Sequence, residues 1–319
     1  MTRKRLLRLG ATIVVLGLVG YFFARSLAAN WDAVREIEIE INCYSVAAVV
    51  LFAVAVLVSG LLWGSMLSHL GRLRVPVTDA IRVQCASWLL KYVPGQVGSV
   101  ANKVMWAHQR GISRTLVVIT FVYENVFLLL GSVVPTVVIL LVHDAVSGTA
   151  GASSTALGSL IPVLLALVPL LLVTDRRLFR WAVNLVARRA LKRDVPHEYF
   201  LGSLPAIGYQ LMFLVPRLIN GLGFVLIVAS FLDVPESSYV PLAAIYVLAG
   251  AIGILAVFVP SGLGVRESVI VLLASRYMPV EQAIVLSLLA RLYSTVGDIL
   301  VALVYGGLKI REVKEGRPS

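Results

Sequence analysis

A chain of 319 residues with 59% hydrophobic and only 14% charged residues lies far outside the composition of soluble domains, and several apolar runs exceed the roughly 18 residues that mark a bilayer-crossing helix. A net charge of +11 would suggest nucleic acid in a soluble protein, but Lys and Arg collect in the cytoplasmic loops of membrane proteins, so here the charge reports orientation and no nucleic-acid partner is expected. The composition predicts an all-α, polytopic membrane protein of about six to eight transmembrane helices, multi-pass in the cell membrane.

In chain order, residues 9–24 predict a short first helix with Arg8 and Arg25 snorkelling at its ends, running outward from a cytoplasmic N-terminus. No small-residue cleavage site follows it, so it is read as an uncleaved helix and not as a signal peptide. Residues 30–42 hold Asp32, Glu36, Glu38 and Glu40 against Arg35 and read as an external loop. Residues 43–68 carry no charge and return inward to a cytoplasmic loop with Arg72 and Arg74. Residues 78–112 form an interrupted segment whose arms, about fourteen to sixteen residues or 20–25 Å each, are too short to cross roughly 30 Å of hydrocarbon. Arg110 and Arg114 follow it, which predicts a hairpin entered from the cytoplasm.

Residues 115–142 span outward and carry Glu124, a polar loop follows at 143–154, and 155–174 return. Residues 175–193 hold Arg176, Arg177, Arg180, Arg188, Arg189, Lys192 and Arg193, with Leu178, Trp181, Ala182, Leu185 and Val186 on one helical face. That pattern predicts an interfacial helix lying on the anionic cytoplasmic leaflet. Residues 199–232 go outward past Arg217, 233–238 are external, and 240–279 form a second interrupted segment. Residues 282–306 return to a basic cytoplasmic tail at Lys309, Arg311, Lys314 and Arg317. Most of the 28 Lys and Arg, with the stretch from Lys103 to Arg114 counted among them, thereby fall on one side.

The two interruptions resemble each other. Lys91-Tyr92-Val93-Pro94-Gly95-Gln96-Val97-Gly98 returns as Val257-Phe258-Val259-Pro260-Ser261-Gly262-Leu263-Gly264, each with an aromatic and a valine before the proline and a glycine four positions after it. A single membrane domain made of two related parts follows: 1–174, then the interfacial helix within 175–198, then 199–319. With one hairpin opening inward and the other outward, the parts form an inverted repeat, the plan of alternating-access carriers. The arm before Pro260, about twenty residues, is long enough to span, which leaves a broken spanning helix as the alternative to a re-entrant one.

Backbone freed at Pro94, Gly95 and Gly98, or at Pro260, Gly262 and Gly264, must face protein or a water-filled cavity, and the helix start after each break favours a phosphate. Glu124, Arg217, Arg266, Glu267, Arg291 and Asp298 lie in or beside membrane segments, where each ionisable group costs about 2.5–3.5 kcal/mol. They read either as a gate or headgroup site with arginines binding phosphate, or as structural ion pairs. Asp298 shares a helical face with Arg291, and Glu124 and Arg291, as equivalent positions, are expected to approach one another. Lys91 and Arg82 draw an anionic lipid from the cytoplasmic leaflet or merely snorkel. His69, His108, His143 and His197 are scattered and Cys43 and Cys85 lie far apart, so neither a metal site, a disulfide nor a cofactor is expected.

Lys91-Tyr92-Val93-Pro94-Gly95, Gly111-Ile112-Ser113, Glu124, the run from Pro260 to Glu267, and Arg291 together resemble the flippase-like membrane region of the lysylphosphatidylglycerol synthase family over residues 40–305. The resemblance implies movement of an anionic or modified lipid, such as an aminoacylated phospholipid or a polyprenyl-phosphate-linked sugar, between leaflets. Ser99 and Asn102 stand where many relatives have an acidic residue and an arginine, which alters the expected chemistry at the first motif. Only a short tail follows Gly306, so a stand-alone member without the synthase domain is expected, and not an enzyme.

Two other classes compete with the translocase. An integral-membrane transferase acting on a polyprenyl phosphate needs paired carboxylates for Mg²⁺, whereas Asp175 and Asp194 stand alone. A non-transporting partner would position a separate synthase or glycosyltransferase through residues 175–193.

Overall fold

The computed structural model describes residues 41–92, 97–146, 168–169, 171–192, 194–256 and 259–314. The expected first helix, nearly all of the acidic loop, Pro94 and Gly95, most of the helix at 155–174 and the last residues of the tail lie outside them. Among the described residues the secondary structure is helical, without strands. Five helical stretches are long and apolar enough to cross a bilayer: Cys43–Gly71, Arg114–Val146, His197–Phe231, Glu236–Leu255 and Val280–Glu312.

The helices are α1 (Cys43–Gly71), α2 (Val77–Leu89), α3 (Val97–Gln109), α4 (Arg114–Val146), α5 (Arg176–Leu191), α6 (Ser203–Met212), α7 (Leu214–Phe231), α8 (Tyr239–Leu255), α9 (Val265–Ala274) and α10 (Val280–Lys314). Short 3-10 turns sit at Leu90–Tyr92, His197–Tyr199, Glu236–Ser238 and Pro260–Gly262. The chain divides into two compact units. The first takes the described parts of Met1–Val54, Trp88–Ser99 and Leu218–Leu303; the second takes Ala55–Ser87, those of Val100–Arg217, and those of Val304–Ser319.

At 13 residues each, α2 and α3 are about 20 Å long and shorter than the hydrocarbon layer, as expected for the first interruption. The second interruption has arms of unequal length. Its leading arm, Glu236–Leu255, is long enough to span, whereas the return helix α9 has only 10 residues and lies against α8.

In the second unit, α1 and α2 approach so closely that a Cβ on Gly64 would stand 2.5 Å from the Ala80 Cβ, and one on Gly60 2.7 Å from the Gln84 Cβ. Two glycines four apart on one helix face are what such close packing in lipid requires. An aromatic ladder fills the core beyond them: Phe179 to Tyr123 at 4.5 Å, Tyr123 to Phe127 at 5.4 Å, and Phe127 to Phe213 at 5.7 Å. The Tyr123 hydroxyl accepts the Leu201 N–H at 3.0 Å, which fixes the turn before α6.

Phe179 ties α5 to that ladder. Asp175 begins α5 as its N-cap, its carboxylate accepting from the N–H groups of Arg177 and Leu178 at 2.8 and 2.9 Å. While Phe179, Asn184 and Ala187 are buried, Leu178, Trp181, Leu185 and Val186 stay exposed, so α5 keeps the unpartnered apolar stripe that its sequence predicts. At its far end Arg188 donates to both oxygens of Asp194 at 2.6 and 2.9 Å, and that hydrogen bonding holds the Asp194 carboxyl below its ordinary value. Asp175 and Asp194, left without partners by the sequence, are thus a helix cap and an exposed ion pair.

Three expectations change. The basic tail is not a loose end, because α10 continues to Lys314 and Glu312, buried within the second unit, pairs with Arg82. Arg82, which also meets Asp79 at 3.5 Å, is committed inside the protein and does not snorkel. Lys103, counted as a surface cation, is 1% exposed.

Candidate functional site

In the first unit the two interruptions meet: the turn Leu90–Tyr92 packs against the turn Pro260–Gly262. Lys91, projecting from the first, places its Nζ 2.8 Å from Oδ1 and 2.7 Å from Oδ2 of Asp298 on α10. The Trp88 indole N–H donates to the same Oδ1 at 2.7 Å, and the Lys91 ammonium lies 4.2 Å from the Trp88 ring centroid. An aromatic face and a bidentate carboxylate together stabilise a cation where water is scarce.

The second turn has its own pair. Ser261, Gly262 and Gly264 adopt φ of 54°, 64° and 78°, the left-handed region that glycine enters cheaply. Gly264 precedes α9 and its N–H donates at 2.6 Å to the carboxylate of Glu267, the returning half of a capping box. Arg291 on α10 stands 3.6 Å from that carboxylate and 3.5 Å from the Ser261 carbonyl. The helix start expected to hold a phosphate is therefore partly occupied by Glu267, which ties it to Arg291. Arg266 instead lies 4.3 Å from the ring centroid of Tyr246, within the stack Phe52–Tyr246–Phe224 at 5.5 and 4.5 Å. It has no carboxylate partner among the described residues.

This cluster accordingly holds three cations, Lys91, Arg266 and Arg291, against two carboxylates, Asp298 and Glu267. Arg266 and Arg291 both act electrostatically on Lys91. Among the described residues the arrangement retains one positive charge in excess beside a kinked backbone.

The turn at Gly262 is held by contact with α8, where a Cβ on Gly262 would lie 2.7 Å from the Gly253 Cα, whereas one on Gly253 would meet its nearest atom at 3.6 Å. Gly262→Ala combines this clash with a positive φ and is expected to destabilise the protein by on the order of 1–3 kcal/mol or more. Gly253→Ala is expected to stay within about 1 kcal/mol of wild type. Thermal unfolding of both variants in detergent checks the pair; equal midpoints would refute the close approach.

Glu124 belongs to the second unit and has separate partners. Its Oε1 accepts from the Gln84 amide at 2.8 Å and its Oε2 pairs with Lys103, whose ammonium lies 4.3 Å from the Trp63 ring centroid. Glu124 takes this ion-pair partner from α3. Arg217 Nε donates to the Leu128 carbonyl of α4 at 3.1 Å, again within the second unit. Gly98 opens α3, Pro260 starts its 3-10 turn, and Pro94 and Gly95 lie outside the described residues. Asn102 donates to Ser87 Oγ at 2.9 Å and to the Val83 carbonyl at 3.2 Å, so the residue that departs from the resembled pattern clasps α3 to α2.

Sequence reasoning missed Lys103, Trp88 and Tyr246. Lys103 had one available signal, its position among Val104, Met105 and Trp106 on a helix too short to reach water at both ends. The aromatic partners had none, since their role depends on contacts across the fold. No group of three or more His, Cys, Asp or Glu suited to a metal occurs among the described residues.

Long apolar helices, an interrupted segment of two short arms and an ion-paired cluster at the breaks define a polytopic helical membrane protein. The family model of the lysylphosphatidylglycerol synthase TM region matches residues 8–302, and the chain belongs to that family. No curated protein matches it.

Proposed function

We propose that the protein is a lipid translocase that carries an anionic or modified lipid, an aminoacylated phospholipid or a polyprenyl-phosphate-linked sugar, between leaflets. The supporting observation is the cluster of Lys91, Arg266 and Arg291 against Asp298 and Glu267 at the packed turns. One uncompensated positive charge beside irregular backbone suits a phosphate headgroup, while the acyl or prenyl chains stay in hydrocarbon. In this reading the first interruption is re-entrant, the two parts of the chain work as an inverted repeat, and the termini are cytoplasmic. The exposed stripe of α5, bordered by arginines, rests on the anionic leaflet.

The test reconstitutes the full chain in liposomes and follows leaflet exposure of phosphatidylglycerol, its lysyl ester and a polyprenyl-phosphate sugar. Wild type is expected to move one of them, and Arg291→Ala to slow that movement at least tenfold. Movement that is equal in both, or absent in folded wild type, overturns the proposal and favours a partner of a separate synthase or glycosyltransferase.

A further inference from the structure

The second unit contains a cavity of about 1210 Å³, above the range of roughly 300–1,000 Å³ typical of small-molecule sites. Its lining brings together Arg72 and Arg74 from the loop after α1, Trp106 and Arg110 from the end of α3, Arg176 from the start of α5, and Glu198 from the turn before α6. These positions are far apart in the chain, and all lie in segments whose charge predicts one membrane side. Arg110 pairs with Asp79 at 2.8 Å and stacks on Trp106 at 5.1 Å, and Glu198 is the one carboxylate residue in the lining. With Asp79 and Glu198 set against four arginines, these described groups keep an excess of two positive charges. Arg72 and Arg74 are exposed and have no ion-pair partner among the described residues.

A second observation is independent of charge. Trp106 is only 7% exposed, yet neither its indole N–H nor the buried Nε–H of Arg176 has an acceptor among the described residues. Arg176 is otherwise anchored, since its Nη2 donates to the His197 carbonyl at 2.8 Å. Buried donors left without acceptors each cost about 1–3 kcal/mol, and an anion whose oxygens reached either of them would recover part of that cost.

We propose that this cavity is a second anion site that binds a phosphate or diphosphate group, with room for the neutral moiety attached to it. Guanidinium groups match phosphate oxygens bidentately, and the two exposed arginines are placed to capture the group while Trp106 and Arg176 receive it deeper in. The site shares none of its residues with the cluster around Lys91 and Asp298, and it stands whether or not lipid is moved there.

The experiment measures equilibrium binding to the purified full chain at fixed ionic strength, with two probes: inorganic pyrophosphate in detergent, and phosphatidic acid in phosphatidylcholine nanodiscs. Each is read against the double variant Arg72→Gln/Arg74→Gln, which changes only exposed side chains. The expected result is submillimolar binding of at least one probe, weakened at least tenfold in the variant. Pyrophosphate binding with that loss assigns a soluble phosphate compound, and loss seen with phosphatidic acid alone assigns a lipid headgroup. Failure of both probes to bind, or equal binding by variant and wild type, overturns the site.

Discussion

Lys103→Met is expected to lower the stability of the protein by about 3–5 kcal/mol, the cost of removing one partner from a buried ion pair and leaving the other uncompensated. Lys103 and Glu124 are 1% and 3% exposed, so water cannot take over when the ammonium is removed. Gln84 still donates to Glu124, but one amide does not neutralise a carboxylate in this setting. The double variant Lys103→Met/Glu124→Gln removes both charges, leaves an amide for Gln84 to meet, and allows the methionine to pack on Trp63. It is expected to recover most of the loss, because replacing a whole buried pair by uncharged groups is often close to neutral. Unfolding midpoints in detergent for wild type, both single variants and the double variant give the coupling energy. A Lys103→Met protein as stable as wild type would show that Glu124 is not held as an ion there.

Which parts of this were legible in the sequence follows from what each signal depends on. Long apolar runs report spanning helices directly, because length and hydrophobicity alone decide whether a helix suits the bilayer, and Cys43–Gly71 and Arg114–Val146 come out nearly as expected. The duplicated Pro-Gly pattern was legible for the same local reason. A proline followed closely by glycines removes a backbone donor and frees the dihedrals at one place, which interrupts a helix locally, and the two turns of the first unit do pack together. Pairing was not legible. Glu124 was matched to Arg291 on the symmetry of two halves, yet it takes Lys103, which a charge count assigns to the surface. Glu312 looked like part of a solvated tail, but continuation of α10 as a helix brings it to Arg82. Long-range ion pairs depend on helix crossing and register, and one sequence carries little of either. Arg217 shows the same limit from the other side. A guanidinium in a membrane segment invites a functional reading, but its Nε serves a backbone carbonyl of α4.

Opposite effects on anion affinity are expected from the two halves of the pair at the breaks. Lys91 and Asp298 are 20% and 11% exposed at their side chains, and Asp298 binds both Lys91 and Trp88. On stability the two single variants should agree in sign: Lys91→Met takes the ammonium from the carboxylate, Asp298→Asn takes the carboxylate from the ammonium, and each costs about 1.5–3 kcal/mol, the worth of a hydrogen bond to a charged group. On binding they should part. Asp298 would compete with an anionic guest for Lys91, so Asp298→Asn, which leaves three cations of the described cluster against one carboxylate, Glu267, is expected to tighten binding of an anionic headgroup by about tenfold, some 1.4 kcal/mol. Lys91→Met removes the excess positive charge and is expected to weaken binding by a similar factor. Titrating both variants with phosphatidylglycerol in nanodiscs, at two salt concentrations, separates these outcomes, and the differences should shrink at the higher salt only as far as the cluster is open to solvent. If both variants weaken binding alike, the pair serves to hold the turns in place and the headgroup is not read by its charge. If they diverge as expected, Lys91 is shared between a carboxylate and a guest, and transfer of that ammonium from Asp298 to the headgroup supplies the differential interaction by which binding loosens the turns.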